Sequence, residues 1–202
     1  MDILTVKPFE SPDTVREIAD VYRKSFGGSP WNEGYLCPAC GRTYPLSAKE
    51  DLCPACAERS NSILLVEHWP IGRVISDFYH EMTKSDSVCV IARSEGHVIG
   101  FAWGYAVFSG PDLDMHLDAP GLHESLCGRY FYLDECAVDP DFQGKGIGKT
   151  LLREILDRRT EDRVILRTKD RSPMFHLTEK EGGRTIRHIS DERVIMRLLS
   201  RP

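Results

Sequence analysis

The sequence predicts an α+β fold in which strands and helices follow one another along a single domain, residues 1–202. Two features indicate this fold. Residues 130–156 read as a strand, a glycine-rich turn and a helix in direct succession. Elsewhere, strand-like apolar runs alternate with segments whose apolar residues recur at helical spacing. A chain of 202 residues can bury a substantial core, which a single domain of this kind requires.

The first predicted elements are a strand and a capped helix. The strand contains four apolar residues, Ile3, Leu4, Val6 and Phe9. Ser11-Pro12-Asp13 is typical of a helix start, with Ser as N-cap, Pro at the first helical position and an acid in the first turn. One apolar face follows at helical spacing and ends at Gly27-Gly28, and it is formed by Val15, Ile18, Ala19, Tyr22 and Phe26.

The elements that follow are predicted from the same periodicities. In order they are a helix over 70–84, strands over 88–93 and 97–108 that turn at 94–96, a polar loop over 109–128, a strand over 130–138, a helix through 151–156, a strand over 164–168, a short helix over 173–181, and an antiparallel pair over 185–188 and 193–199. A loop of this length is long for an inert connection, so we expect 109–128 to have a role.

Composition excludes several classes of protein. The formal net charge of −5 argues against nucleic acid as a partner, because phosphate binding usually needs a basic face. No stretch approaches the roughly eighteen apolar residues of a membrane span. The N-terminus MDILTVKPFE lacks the apolar core of a signal peptide. We therefore expect a cytoplasmic protein with reduced thiols and no membrane partner.

Four of the seven cysteines form two closely spaced pairs. Cys37 and Cys40 stand in one C-x2-C, Cys53 and Cys56 in another, with twelve residues between the pairs. Two such pairs offer the four thiolates of a tetrahedral zinc site. A redox motif would need only one pair, and two disulfides would conflict with a reducing compartment. We predict structural Zn²⁺, because four cysteine ligands leave no open position for water or substrate.

The glycine-rich turn at Gln143–Gly148 lies between a strand and an amphipathic helix. Asp139-Pro140-Asp141 ends the strand, because Pro cannot donate to a ladder and Asp favours turns. Glycines at the start of a helix leave backbone N–H groups uncovered at the positive end of the helix dipole. The turn is therefore predicted to bind an anion such as a pyrophosphate.

Two nucleotide motifs do not fit this turn. In the P-loop pattern the first Gly stands five residues before the Gly of Gly-Lys-Ser/Thr, and Gly144 comes one residue too late for Gly148-Lys149-Thr150. The dinucleotide pattern G-x-G-x-x-G fails because Gly144, Gly146 and Gly148 are spaced by two and two. The pattern that fits is Gln/Arg-x-x-Gly-x-Gly/Ala, met by Gln143, Gly146 and Gly148. With its flanking strand and helix, the segment resembles the acyl-CoA-binding core of the GNAT superfamily of N-acyltransferases.

The resemblance covers most of the chain and implies its fold in more detail. The order of predicted elements is similar to the GNAT order of a mixed, mostly antiparallel central sheet flanked by helices, an α/β/α arrangement. It does not cover residues 35–60, which form a zinc-binding insertion between the first two helices. The resemblance implies an acyl-CoA-dependent acetyltransferase that transfers an acetyl group from acetyl-CoA to a primary amine by direct attack.

The same resemblance implies how acetyl-CoA binds. The strand over 132–138 would splay from the strand over 164–168, and the pantetheine arm would pair with the backbone of Cys136, Ala137 and Val138. A backbone N–H near Ala137 and Val138 would stabilise the developing oxyanion. The pyrophosphate would be held by the turn and the first helical residues, namely Gln143, Gly144, Lys145, Gly146, Ile147, Gly148, Lys149 and Thr150.

The candidate general bases are Asp134 and Glu135, adjacent acids in an otherwise apolar strand. In a regular strand they point to opposite faces unless a bulge intervenes, and we slightly favour Glu135. The family's usual general acid is a Tyr in a Leu-Tyr-x-x-x-Gly segment, and Thr178 stands in its place here. His176 is a weak substitute, since a lone His on a short helix is more often structural.

The acceptor is less constrained by the sequence. Residues 26–35 and 109–128 match the regions that commonly shape the acceptor site of the family. Acids in the second region are consistent either with a solvated loop that carries surface acids or with a cationic acceptor, a small molecule or a protein Lys or N-terminus: Asp112, Asp114, Asp118 and Glu124. Two alternatives stay open, a non-catalytic acyl-CoA-binding or partner-docking module and a zinc segment that docks on nucleic acid. The oligomeric state also stays open, a homodimer included.

Overall fold

The computed structural model describes residues 2–6, 11–48 and 52–199, in which ten strands and six α-helices follow one another. In chain order they are β1 (Asp2–Val6), α1 (Pro12–Phe26), β2 (Tyr35–Leu36), β3 (Thr43–Tyr44), α2 (Pro54–Ala57), β4 (Val66–Glu67), α3 (Ile71–Met82), β5 (Val88–Ser94), β6 (His97–Phe108), α4 (Pro111–Leu117), β7 (Arg129–Val138), α5 (Ile147–Arg158), β8 (Arg163–Lys169), α6 (Pro173–Lys180), β9 (Arg184–His188) and β10 (Arg193–Leu199). Phe9 of the predicted first strand lies outside the described residues. None of the described helices is long and apolar enough to cross a membrane.

The central sheet has seven strands in the order β1-β5-β6-β7-β8-β10-β9. Every neighbouring pair is antiparallel except β7 and β8, which run parallel. The mixed, mostly antiparallel sheet predicted from the sequence is therefore confirmed. A separate sheet of three short strands, in the order β3-β2-β4, forms the cysteine-rich insertion.

Helices cover both faces of the central sheet, because successive strand residues point to opposite sides. On one face, α1 and α3 pack their apolar stripes against Phe101 and Trp103 of β6. On the other face, α5 packs Leu151 and Ile155 against the alternate residues of the same strands. The α/β/α layering that the resemblance implies is thus present.

The N-terminus of α1 is capped as predicted, and its C-terminal end abuts the insertion. The Ser11 side chain accepts a hydrogen bond from the Thr14 N–H at 3.4 Å. Gly27 follows the last residue of α1 as C-cap. A Cβ on Gly27 would lie 2.4 Å from the Leu46 side chain, so a larger residue would displace the insertion from the end of α1.

The insertion is longer than the predicted 35–60. Its third strand β4 pairs with β2 through Leu36↔Val66 and Tyr35↔Glu67, so the small sheet ends at Glu67. Glu67 also forms an ion pair with Arg23 of α1. The insertion is therefore held against α1 by an ion pair as well as by the packing of Leu46 on Gly27.

The prediction of a loop over 109–128 was wrong for the helix α4. Leu113 and Leu117, spaced by one helical turn, are buried in a third apolar cluster beneath the sheet. Asp114 accepts hydrogen bonds from the N–H groups of Gly121 (2.6 Å) and His123 (2.7 Å), which hold the segment after α4 against the helix. The neighbouring acids obscured this short helical pattern in the sequence.

Candidate active site

A β-bulge in β7 brings Asp134 and Glu135 to the same face of the sheet. Trp103 pairs with Glu135 and the next residue, Gly104, pairs with Leu133, so Asp134 is the extra residue. The Trp103 indole N–H donates to Asp134 at 3.0 Å. The Tyr22 hydroxyl donates to Glu135 at 3.1 Å. The two acids therefore act on one space, which a regular strand would prevent.

Gly104 is required opposite the bulge. A Cβ at this position would lie 2.3 Å from the Tyr132 carbonyl oxygen and 2.6 Å from the Phe131 ring. Such contacts are shorter than any that real Cβ atoms make, so a side chain here would force β6 and β7 apart. The position of the two acids thus depends on a glycine in the neighbouring strand.

Burial raises the pKa of both carboxyl groups. The pKa of Asp134 is raised to about 6 by desolvation, against the opposing hydrogen bond from Trp103. The pKa of Glu135 is raised well above its ordinary value by desolvation and then by the charge of Asp134, while the hydrogen bond from Tyr22 lowers it. The pair therefore keeps a proton at a pH where exposed carboxyls have lost theirs.

The acid pair opens on a cavity of about 330 Å³, which we call the acid-pair cavity. Its aromatic wall consists of Tyr22, Phe26, Trp31, His68, Trp69 and Tyr132. Charged groups other than the acid pair are Glu33, Arg167 and Arg193. None of its lining residues comes from 109–128, so the acids of that segment do not shape this cavity.

A gap between β7 and β8 leads from the acid-pair cavity toward the glycine turn. The two strands pair only at Phe131↔Val164 and Tyr132↔Ile165, so β7 splays from β8 after Tyr132, one residue later than the predicted 132–138. A second cavity of about 290 Å³ continues along the gap from Cys136 to Gly148. Both cavities are lined in part by Phe26, Trp31, Cys136 and Met174.

The exposed edge of β7 carries the backbone groups of Cys136 and Val138. The Asp139 N–H donates to the Ile99 carbonyl of β6 at 2.9 Å. By alternation, the backbone of Ala137 also pairs with β6, whereas the N–H groups of Cys136 and Val138 face the gap. The Val138 carbonyl already accepts hydrogen bonds from Ser25 (3.0 Å) and Gln143 (2.9 Å). Ala137 thus lines the second cavity, but its backbone groups face β6 and not the gap, where we expected them to pair with the pantetheine arm.

The glycine turn leaves the N-terminus of α5 uncovered. Gly144 and Gly146 have φ angles of 76° and 80°, in the left-handed region that other residues adopt at a cost. Gly146 is the N-cap of α5, and no side chain caps the helix. A Cβ on either glycine would meet nothing within 4 Å, so the space in front of this turn is open. The N–H groups of the first turn, including those of Ile147, Gly148 and Lys149, are the ones a helix leaves without an internal acceptor.

Two polar side chains of the predicted anion site are engaged with the backbone of the turn. Lys145 donates to the Asp141 carbonyl and Thr150 donates to the Gly146 carbonyl, both at 3.3 Å. Lys149 is exposed on the same turn of α5. The anion site is therefore built mainly from backbone groups, with lysines beside it.

Two predicted candidates lie away from the acid pair. Thr178 is fully buried in α6, with its hydroxyl 3.6 Å from the Met174 sulfur. A Cβ on Gly183 would lie 2.4 Å from the Thr178 methyl group, which shows how tightly Thr178 is packed. His176 is largely exposed and contacts Glu179 at 3.4 Å. Neither lines the acid-pair cavity or the second cavity.

Several residues of the site were not identified from the sequence. Tyr22 was assigned only to the core face of α1, although its hydroxyl reaches Glu135. His68 and Trp69 stand just after β4, where nothing in the sequence links them to the acids. Arg167 directly follows the apolar run Val164–Leu166 of β8, and a polar end of a strand does not by itself mark a site.

The four cysteines of the insertion converge on one point. Their sulfur atoms all lie within 4.8 Å of one another. The Cys37–Cys56 and Cys40–Cys53 sulfur pairs are each 3.7 Å apart. Four sulfurs at about 2.3 Å from a tetrahedral zinc would be about 3.8 Å apart, whereas disulfide sulfurs are bonded at about 2.05 Å. The spacing fits a metal ion and does not fit disulfides.

Comparisons with solved structures show the same fold at low sequence identity. The PaiA N-acetyltransferase from Thermoplasma acidophilum, in complex with coenzyme A, superposes with a TM-score of 0.56 at 14% identity, covering 98% of this chain and 99% of that one. YncA, described as a putative acetyltransferase from Salmonella typhimurium with its cofactor acetyl-CoA, gives 0.59 at 12% identity, covering 100% and 95%. No curated protein matches the sequence.

The sequence itself matches one family model over more than half of its length. The model describes the acetyltransferase (GNAT) family and matches residues 53–180, from the second cysteine pair to the end of α6. This range contains the bulge, the splayed strands and the glycine turn. The chain therefore belongs to the GNAT acetyltransferase family.

Proposed function

We propose that this protein is an N-acetyltransferase that transfers an acetyl group from acetyl-CoA to a primary amine by direct attack. The observation that carries the proposal is the bulge in β7. It turns Asp134 and Glu135 into a cavity that adjoins the mouth of the gap between β7 and β8. A proton acceptor and a cleft for an extended thioester are thus neighbours.

In this proposal acetyl-CoA lies along the gap with its pyrophosphate on the glycine turn. The N–H groups over 144–149 bind the phosphate oxygens at the positive end of α5, since those of Gln143 and Thr150 donate to the Pro140 and Gly146 carbonyls, and Lys145 and Lys149 add positive charge nearby. The Val138 N–H meets the pantetheine arm as a neighbouring strand would, while the Cys136 N–H lies nearer the acid pair. The coenzyme A and acetyl-CoA in the PaiA and YncA structures support this placement by analogy of fold.

The proposed chemistry needs one base and one oxyanion donor. The acceptor nitrogen loses a proton to Glu135, directly or through water, and attacks the thioester carbonyl carbon. The Cys136 N–H, which follows Glu135 and faces the gap, stabilises the negative oxygen of the tetrahedral intermediate. The intermediate then collapses by breaking the C–S bond; the nitrogen gives up its second proton and the thiolate takes up one, which gives the neutral amide and CoA.

The two acids have different roles in this scheme. Glu135 is the base, because its raised pKa makes it a stronger proton acceptor than an exposed carboxylate. Asp134 is a positioning residue whose charge helps to raise the pKa of Glu135. Burial raises the pKa of the Cys136 thiol to about 12, so this thiol stays protonated and is a poor acyl carrier.

We further propose that the insertion binds one structural Zn²⁺ through Cys37, Cys40, Cys53 and Cys56. The sulfur spacing supports this ligand set, and four thiolates fill the coordination of the ion. The ion would supply the stability that a short segment with little apolar core lacks. It takes no part in the acetyl transfer.

The test of the enzyme proposal is the release of CoA thiol from acetyl-CoA in the presence of a broad panel of primary amines. We expect steady turnover with at least one amine and a mass increase of one acetyl group on that acceptor. Binding of acetyl-CoA without turnover on any amine would instead favour a non-catalytic acyl-CoA-binding module. Absence of both binding and turnover would overturn the proposal.

A further inference from the structure

The acid-pair cavity carries positive charge opposite the acids. Arg167 of β8 and Arg193 of β10 both line it, and the register places Arg167 beside Ile195 and Arg193 beside Lys169. Because directly paired residues share a face, Arg167, Lys169 and Arg193 project from the same side of the sheet. The cavity therefore has an acidic side at the bulge and a basic side on β8 and β10.

These three cations differ in what they contact. Lys169 donates to the carbonyls of Pro30 (3.2 Å) and Trp31 (3.3 Å), so it holds the loop that follows α1. Arg193 lies 3.4 Å from Glu33. The half-buried Arg167 forms no hydrogen bond or ion pair with any of residues 2–6, 11–48 or 52–199. Its charge acts on Asp134 and Glu135 only from a distance.

An arginine in this situation is suited to bind an anion. The guanidinium group presents several N–H donors in a planar fork that matches carboxylate and phosphate oxygens. Because the Arg167 donors form no bond to the described protein, they are available to a ligand that enters the cavity. A ligand with carboxylate or phosphate oxygens could take all of them at once.

A second group in the same wall also lacks a partner. The Nδ1 atom of His68 is buried and has no hydrogen-bond partner among the described residues. Burial lowers the pKa of this imidazole, so the ring is neutral, and it stacks on Trp69 with ring centroids 4.6 Å apart. The cavity thus combines an aromatic surface with two polar groups that have no partner among the described residues.

We infer that the acceptor is a small primary amine that also carries an anionic oxyacid group, which Arg167 binds while the amine faces Glu135. The inference rests on the proposed acetyl transfer and names its substrate class. A volume of about 330 Å³ suits a small molecule, and Trp31 and Trp69 offer it an apolar surface. The purely cationic acceptor suggested by the acids of 109–128 does not fit, because those acids lie outside this cavity and Arg167 would repel it.

The experiment is calorimetric binding of matched amines to the protein saturated with CoA, so that no turnover occurs. One pair tests a carboxylate, L-phenylalanine against 2-phenylethylamine. The other tests a phosphate, O-phosphoethanolamine against ethanolamine. We expect the anionic member of at least one pair to bind about tenfold to a hundredfold more tightly, as a charged hydrogen bond would give.

Arg167→Met should abolish this preference, and Arg197→Met is the matched control. Arg197 is also a half-buried arginine of the sheet, on β10, but it does not line the cavity. Arg167→Lys should restore part of the preference, because it keeps the charge without the fork. Equal binding within both pairs, no binding of any of the four, or equal effects of Arg167→Met and Arg197→Met would overturn the inference.

Two further readouts distinguish anion binding by Arg167 from an electrostatic effect on the acid pair alone. Arg167 lowers the pKa of both acids. If that were its only role, Arg167→Met would leave the preference for the anionic amine intact. It would also move the acidic limb of the pH profile of any turnover to higher pH. Such a result would refute anion binding by Arg167. Failure of acetyl-CoA to bind the same preparation would instead count against the proposed enzyme activity, while a surviving preference for anionic amines would still support the acceptor class.

Discussion

The Glu135 carboxyl lies in a place where a carboxylate is poorly solvated, and its hydrogen bond from Tyr22 only partly compensates. The same burial that makes its ionised form unfavourable makes it a competent base near neutral or alkaline pH. Asp134 shares this environment and is held by Trp103. The chemistry assigned to the site therefore depends on two hydrogen bonds and on the exclusion of water.

Glu135→Gln should lower kcat by about 10²–10⁴-fold, because general base catalysis typically contributes that much. The amide keeps the size of the side chain and can still accept from Tyr22, so acetyl-CoA affinity should stay unchanged. Steady-state kinetics and calorimetry measure the two quantities. The exposed Glu179→Gln is the control, and a loss of activity no greater than in this control would remove Glu135 from the mechanism.

Tyr22→Phe should move the acidic limb of the pH–kcat/KM profile to higher pH. The Tyr22 hydrogen bond lowers the pKa of Glu135, so its loss raises that pKa further. Because the base must be ionised to accept a proton, activity then appears only at higher pH. Profiles of the wild type and the variant with one acceptor measure the shift. An unchanged limb, or one that moves to lower pH, would contradict the role given to this pair.

At the scale of elements, the segments on either side of the insertion form one wall of the acid-pair cavity. Trp31 and Glu33 precede β2, and His68 and Trp69 follow β4. The small sheet joins these two segments, since the Gly34 N–H donates to the Tyr44 carbonyl and the His68 N–H donates to the Gly34 carbonyl. The proposed metal site is thereby linked through the small sheet to one wall of the acid-pair cavity.

Cys40→Ser should reduce bound zinc from one ion per chain and raise the KM for the acceptor, because the wall that carries His68 and Trp69 loses its support. Acetyl-CoA affinity should change much less, since the glycine turn lies on α5, outside the insertion. Metal analysis of the reduced protein and kinetics with each substrate check both parts. Cys127→Ser, an exposed cysteine outside the cluster, is the control. A purified wild-type protein without zinc would refute the metal assignment.

The sequence predicted the elements better than the site, for a physical reason. The cap of α1 by Ser11, the strand before Asp139 and the turn at Gly146 are local, and each follows from residues close together in the chain. The common face of Asp134 and Glu135 depends on Gly104 in another strand, which no local pattern shows. The placement of Arg167 opposite the acids likewise requires the register of β8 with β10 and the splay from β7.

For the whole molecule, the proposed binding and catalysis depend on one architectural feature. The sheet opens between β7 and β8, and the two ends of that opening carry different chemistry. The glycine turn offers backbone donors to an anion at one end, and the acid pair and Arg167 face the acceptor at the other. A long ligand that spans the opening would bring its reactive end to Glu135.

The most direct measurement is a calorimetric titration of acetyl-CoA into the wild type, Gly146→Glu and Gly96→Glu. Gly146 and Gly96 both have a positive φ and open space for a side chain, so both substitutions introduce similar backbone strain, about 1–2 kcal/mol. Only Gly146→Glu places a carboxylate at the start of α5. We expect one binding site per chain in the wild type and in Gly96→Glu, and none in Gly146→Glu, with all three folded by circular dichroism. No binding to the wild type, or equal binding to Gly146→Glu, would contradict the placement of acetyl-CoA between β7 and β8.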